Sequence, residues 1–333
     1  MQVGMVGLGR MGANLARRLL RGGHQVVAYN RTYSRVETLV TEGATGATSL
    51  AELVSTLTSP RVVWLMLPEG RPTDEHVAAL TPLLTAGDVV VEGSNGHFRD
   101  DLRRAEALQP HGLHYLDAGV SGGIWGLEQG YCLMVGGPPE AFALAEPLLQ
   151  TLAPPEGYLH CGPVGAGHFT KMVHNGIEYA LMEAYAEGFE LLRASPYAPP
   201  LDLRRVAHLW GQGSVIRSWL LELLEGALAR DPDLALVSGY VEDSGEGRWT
   251  IEQALELGVA ATGLAQAVFR RFLSRQQDAF SNKVLAALRR EFGGHAVGVP
   301  GKVERSTGAG AGGVEPARAA VEYAPPPPTQ DSP

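Results

Sequence analysis

Gly7-Leu8-Gly9-Arg10-Met11-Gly12 follows the apolar run Gln2 to Val6 without a gap and opens a segment whose apolar positions include Leu15, Leu19 and Leu20. A G-x-G-x-x-G pattern by itself says little, but between a strand and a helix it constrains the fold strongly. Gly7 suits the tight turn, Gly9 lets backbone N–H groups approach a pyrophosphate, and Gly12 lets the helix press on the strand. An anion then sits at the positive end of the helix, and Leu8, Arg10 and Met11 fill the positions between the glycines. A glycine-rich turn without a ligand is the plain alternative.

The sequence beyond the motif extends the same architecture. Gln25 to Tyr29, Arg61 to Leu67, Val89 to Glu92 and Leu113 to Leu116 read as further strands, with amphipathic stretches between them. Nearly continuous apolar strands alternating with helices predict an α/β fold, a doubly wound parallel sheet of the Rossmann type, over residues 1–162. After Gly162-Pro163 strand-like runs almost vanish, and 166–194, 202–229 and 250–290 read as long helical segments. Residues 163–297 are therefore expected to form an all-α domain. From 298 to 333 the chain is Gly-, Ala- and Pro-rich and ends in APPPPTQDSP, a composition that buries too little apolar area to order itself, so a disordered tail is expected there.

Composition excludes several function classes. The 36 acidic residues outnumber 27 basic ones for a formal net charge of −9, a sign that repels nucleic-acid and anionic-membrane partners. Cys132 and Cys161 cannot build a disulfide framework and lie in no metal-ligand spacing, so a reducing cytoplasm fits and no metal is implied. No targeting segment and no apolar run long enough to cross a bilayer is visible.

The end of the second strand usually carries the residue that chooses between nicotinamide cofactors. Here it reads Asn30-Arg31-Thr32. A carboxylate would repel a 2'-phosphate; Asn30 does not, and Arg31 with Thr32 offers it charge and hydrogen bonds, which leans towards NADP. The alternative is that Arg31 stacks on adenine while NAD is used.

Lys171, His174, Asn175 and Glu178 stand at i, i+3, i+4 and i+7 and so share one helix face. A solvated stripe is the bland reading. Met172, Val173, Ile177, Ala180, Leu181 and Met182 surround that face with apolar side chains, so the helix is expected to be mostly buried and its polar face to serve a cavity. A desolvated lysine can act as base and a glutamate two turns on as acid. Two loops expected at strand C-terminal ends complete a pocket: Glu92-Gly93-Ser94-Asn95, and Asp117 to Gly123, in which Ser121 and Gly122 offer hydroxyl and N–H groups to a carboxylate or a sugar hydroxyl.

The segments GLGRMG, NRT, EGSN, VSGG, KMVHNGIEY, EGRWT, AVFRR and FGGH occur in the order found in 6-phosphogluconate dehydrogenases, across residues 1–297. The chain resembles the shorter branch of that decarboxylating family, which includes NAD-dependent members. The resemblance implies oxidation at the substrate C3 hydroxyl, loss of carbon dioxide and protonation of the enol to ribulose 5-phosphate. By position, Lys171 resembles the general base and Glu178 the general acid, with His174 and Asn175 binding substrate. Asn95, Ser121, Gly122 and Gly123 resemble the pocket for substrate and nicotinamide, and Tyr179 and Arg271 the phosphate site. Arg289 and His295 resemble residues lent by a neighbouring subunit, which implies a homodimer with a shared site.

One departure stands out. Where the long enzymes have lysine and threonine ahead of G[KR]WT, this chain has Ser244 and Glu246, and an acid there disfavours a phosphate unless Arg248 or Arg271 offsets it. Arg248 and Trp249 read equally well as packing residues. Two other functions compete. A non-decarboxylating β-hydroxyacid dehydrogenase, of the 3-hydroxyisobutyrate or tartronate semialdehyde type, shares GLGxMG and the lysine but typically has KxxNN and does not need Glu178. A non-catalytic NADP(H) sensor would have no use for Lys171 and Glu178 on one face.

Overall fold

The computed structural model describes residues 1–198 and 200–293. Eight strands, β1 (Gln2–Val6), β2 (Gln25–Tyr29), β3 (Thr45–Gly46), β4 (Val62–Leu65), β5 (Val89–Glu92), β6 (His114–Ser121), β7 (Cys132–Gly136) and β8 (Tyr158–Gly162), form one sheet in the order β3-β2-β1-β4-β5-β6-β7-β8. β1, β4 and β5 are buried on both faces, as expected for a sheet covered by helices on each side. Those helices are α1 (Arg10–Arg21), α2 (Ser34–Thr41), α3 (Leu50–Thr56), α4 (Arg71–Leu80), α5 (Phe98–Leu108), the short α6 (Gly126–Gln129) and α7 (Pro139–Leu152). One core joins Leu15, Leu19, Trp64 and Leu148 on one face; a second joins Leu53, Leu80, Leu108 and Tyr115 on the other.

The sheet departs from the sequence expectation at its far edge. β7 runs antiparallel to β6, Ser121 opposite Cys132, because the connection from Gly122 to Tyr131 is shorter than the dozen or so residues that a parallel crossover needs. β6 also continues through Asp117 to Ser121, which sequence alone places in a loop. Asp117 is tolerated inside a strand because its carboxylate caps the next long helix, accepting Gly165 N–H at 2.7 Å and His168 N–H at 2.8 Å. β8 escapes a pattern search because it is an edge strand with half-exposed His160 and Cys161.

That capped helix, α8 (Ala166–Ala194), lies over β6 and β7. Its first turns touch the sheet backbone directly: a Cβ on Gly167 would stand 2.5 Å from the carbonyl oxygens of Asp117 and Met134, and one on Gly119 2.3 Å from Lys171 Cβ. The expected 202–229 helix is two, α9 (Leu203–Gly211) and α10 (Trp219–Arg230), parted at Gly213 with φ +77° and restarted by Ser218 as N-cap. The 250–290 region is three helices, α11 (Glu246–Leu257), α12 (Thr262–Ser274) and α13 (Phe280–Gly293). α13 belongs to a second unit that begins at Gln277 and is described by itself. Among the described residues no helix is long and apolar enough to cross a membrane. The expected tail, 298–333, lies outside the described residues.

Candidate active site

At the C-terminal end of β1 the glycine loop takes the conformation the motif requires. Gly7 has φ +94°, and a Cβ there would meet Met66 O at 2.4 Å. A Cβ on Gly12 would meet Gly7 O at 2.0 Å, so α1 can approach β1 only through glycine. Gly9 differs: its φ is −66° and a Cβ would have nothing within 4 Å. No side chain caps α1, and the amides of Arg10, Met11 and Gly12 precede its first intrahelical bond, Ala13 N to Gly9 O. Open space beside uncapped amides at a positive helix end is a cradle that fits a dinucleotide pyrophosphate.

Asn30 turns out to shape this loop. Its Oδ1 accepts Leu8 N–H at 3.0 Å and its Nδ2 donates to Thr32 O at 3.0 Å, so its amide is engaged with backbone. Arg31 and Thr32 are exposed at the same strand end and are the side chains of the triplet left to meet a ribose.

On α8 the four expected residues do share a face. Lys171, 6% exposed, donates from Nζ to Asn175 Oδ1 at 2.6 Å and lies 3.4 Å from His174 Nδ1. His174 Nε2 reaches Ser121 Oγ at 3.4 Å across the helix–sheet boundary. His174 Nδ1 stands 3.9 Å from Glu178, whose side chain is 40% exposed. Burial lowers the Lys171 pKa, opposed by the negative charges of Glu178 and Glu246. The helix is not mostly buried: its first half is, but Ile177, Leu181 and Met182 are exposed, because α11 and α12 cover only part of the circumference.

Beside Glu178 on α8, the Arg271 guanidinium lies 3.5 Å from the Tyr179 ring centroid, and its Nε is buried with no hydrogen-bond partner. α11 packs here through small residues, since a Cβ on Gly247 would stand 2.7 Å from the Tyr179 ring and Thr250 Oγ1 donates to Met172 O at 2.9 Å. Ser244 Oγ donates to the buried Glu246 at 2.5 Å. Arg248 and Arg275 both bind Asp243, at 2.8 and 2.7 Å, holding its carboxyl below the usual range against the opposing effect of burial. Trp249 packs edge-on against His97, beside the Asn95 loop.

Beneath that loop lies a cluster the sequence reading passed over: Glu92, Asp101 and His168, all buried, with ligand-type atoms within 4.8 Å of one another. Burial opposes the charge on His168, yet Asp101 and Glu92 outweigh it and its pKa is pushed up to about 10. Burial also raises the Glu92 carboxyl, offset in part by His168.

Residues 2–164 match the model of the NAD binding domain of 6-phosphogluconate dehydrogenase, and residues 167–290 that of the 6-phosphogluconate dehydrogenase C-terminal domain. The NAD(+)-dependent, decarboxylating 6-phosphogluconate dehydrogenase of Haloferax volcanii is 46% identical over 299 residues, covering 89% of this chain and 98% of that protein. The chain belongs to the 6-phosphogluconate dehydrogenase family. The Plasmodium falciparum 6-phosphogluconate dehydrogenase, solved apo and with NADP+ or 6-phosphogluconate, superposes with a TM-score of 0.76 at 26% identity over 91% of this chain and 67% of that one. A 3-hydroxyisobutyrate dehydrogenase from Mycobacterium tuberculosis shares the fold, with a TM-score of 0.64 at 22% identity over 80% of this chain and 90% of that one.

Measured against that family, the structure brings together Lys171, His174, Asn175, Glu178 and Ser121, and separately Tyr179 and Arg271. Asn95 is exposed on its loop, and Gly122, with φ +131°, and Gly123 follow Ser121 where β6 ends. Arg289 lies in α13, in the second unit, and His295 falls outside the described residues.

Proposed function

We propose that the chain oxidatively decarboxylates 6-phosphogluconate to ribulose 5-phosphate with NAD or NADP as hydride acceptor. The observation that carries this is a buried lysine on α8 together with a buried arginine from α12, Arg271, whose Nε lacks a partner and which stacks on Tyr179, eight residues beyond the lysine. That spacing is about two helical turns, which separates the base from the guanidinium as a reacting hydroxyl and a terminal phosphate on one sugar acid require, and a three- or four-carbon hydroxyacid has no phosphate to meet that guanidinium. Ser244 donates to Glu246 and Arg248 is held by Asp243, which leaves Arg271 to meet the phosphate charge.

A dinucleotide held by the glycine loop and the amides of Arg10, Met11 and Gly12 would supply the nicotinamide that accepts the hydride from C3. Lys171, whose neutral amine is favoured by burial, removes the C3 hydroxyl proton and then, as ammonium, neutralises charge developing on that oxygen as carbon dioxide leaves. Asn175 and His174 orient Lys171 and the substrate hydroxyls; Ser121 and Asn95 hold the carboxylate end. Glu178 delivers a proton to C2 of the enol, the carbon that becomes C1 of ribulose 5-phosphate. We assign residues 1–162 to cofactor binding and 163–297 to substrate binding. The exposed Ile177, Leu181 and Met182 support a second copy covering α8, which would also close the open side of Glu178. A homodimer is thus the proposed state, and light scattering that finds a monomer at micromolar concentration would overturn it.

The test of function is initial rates with 6-phosphogluconate and each cofactor, following reduced nicotinamide and carbon dioxide together. Equal amounts are expected; reduced nicotinamide without carbon dioxide would point to the simpler hydroxyacid chemistry. In the same assay Arg31→Ala is expected to weaken kcat/KM for NADP by roughly tenfold more than for NAD, a loss of one charge-assisted contact. An equal effect on both would assign Arg31 to adenine.

A further inference from the structure

His168 lies one turn before Lys171 and is 1% exposed. Its Nδ1 is 2.7 Å from Asp101 Oδ2, while Asp101 Oδ1 accepts the Tyr115 hydroxyl at 2.8 Å. Its Nε2 points at Glu92 Oε2 across 3.7 Å, and both atoms are buried without a hydrogen-bond partner. The other Glu92 oxygen accepts Ser94 N–H at 2.9 Å.

The loop after β5 is folded over this pair. A Cβ on Gly96 would stand 2.8 Å from Glu92 Oε2 and 3.5 Å from His168 Cε1, and one on Gly93 would stand 2.2 Å from Trp64 Nε1. Asn95 sits between those two glycines. The loop therefore has no packing side chain of its own across Gly93 to Gly96 except Ser94 and Asn95; Gly93 N–H donates to Leu65 O at 2.9 Å, and beyond it the hold comes from below, through Glu92. Removing one member of a buried ion pair leaves the other charge less compensated, so the imidazole helps to set where Glu92 holds the loop.

We infer that His168 is a positioning residue: by bridging Asp101 and Glu92 it locks the Gly93–Gly96 loop to the first turn of α8 and so fixes Asn95 relative to Lys171. The same helix turn thus carries the proposed base and sets the opposite wall of its pocket. The inference rests on the proposed reaction for its catalytic consequence and on geometry alone for the anchorage.

The test uses His168→Asn, which keeps a donor near Asp101 but no longer reaches Glu92, together with Asn95→Ala and the double variant. His168→Asn is expected to lower kcat/KM for 6-phosphogluconate by roughly 10- to 100-fold, the cost of a misplaced contact. The double variant is expected to be no worse than Asn95→Ala alone, within about twofold, because both act through one side chain. Hydrogen exchange at residues 93–96 should accelerate at least tenfold while α8 beyond Met172 stays protected. Losses that multiply in the double variant, or unchanged exchange at 93–96, would overturn the inference. If His168→Asn does not fold, Glu92→Gln removes the same contact from the loop side and is read in the same way. Wild-type protein inactive on 6-phosphogluconate would refute the proposed reaction, while the exchange measurement still decides the anchorage.

Discussion

Lys171→Met is expected to cut turnover of 6-phosphogluconate by roughly 10²- to 10⁴-fold, the usual contribution of a positioned general base, while cofactor affinity stays within about twofold. Met matches the length of the lysine stem and suits a site that is 6% exposed, so folding should survive, and removing a desolvated charge does not destabilise. The pH profile gives a second reading. Burial lowers the Lys171 pKa below its ordinary 10.5, so the fraction of neutral amine rises with pH through that lowered value, and wild-type kcat/KM should climb on its acid side. Glu178 and Glu246 pull the other way, so Glu246→Gln should move that limb to lower pH. Lys171→Arg, which keeps the charge but cannot give up its proton, should be as poor as Lys171→Met. An Arg variant retaining a tenth of wild-type activity would exclude Lys171 as the base.

The parts of this site that sequence reveals are those where spacing along one element fixes geometry. Lys171, His174, Asn175 and Glu178 share a face because a helix repeats every 3.6 residues, and Gly7 and Gly12 announce close backbone approach because no other residue permits it. What sequence hides depends on distant segments meeting. Asp117 lies in a strand yet serves the N-terminus of α8, and nothing local signals this. His168 reads as an ordinary helix residue until Asp101, from α5, and Glu92, from β5, are brought to it. Asn30 stands at the end of β2, where the residue that chooses the cofactor usually lies; only folding shows its amide engaged with Leu8 and Thr32. The antiparallel β7 follows from the length of a connection and not from its own residues. The exposed half of α8 is the converse case, since its apolar residues predict burial and the chain itself leaves Ile177, Leu181 and Met182 exposed.

Gly12→Ala and Gly9→Ala should part company, although both alter one motif. An alanine at Gly12 places its methyl 2.0 Å from Gly7 O and 2.9 Å from Met66 Cβ, a collision with backbone that no rotamer relieves. α1 must move off β1, and we expect a loss of about 3 kcal/mol or more, the upper range for overpacking, with Tm lower by roughly 6 °C and cofactor binding abolished. An alanine at Gly9 meets nothing within 4 Å, and its backbone at φ −66° is open to any residue. Its stability should change by less than about 1 kcal/mol, the difference between glycine and alanine at an uncapped helix start. Cofactor affinity should nonetheless fall by roughly tenfold or more, because the methyl projects into the space beside the free amides of Arg10 and Met11 where the pyrophosphate must come close. Thermal melts and cofactor titrations on the two variants decide the matter. If Gly9→Ala binds cofactor as the wild type does, the pyrophosphate does not lie over the start of α1, and the cradle must be placed elsewhere along the loop.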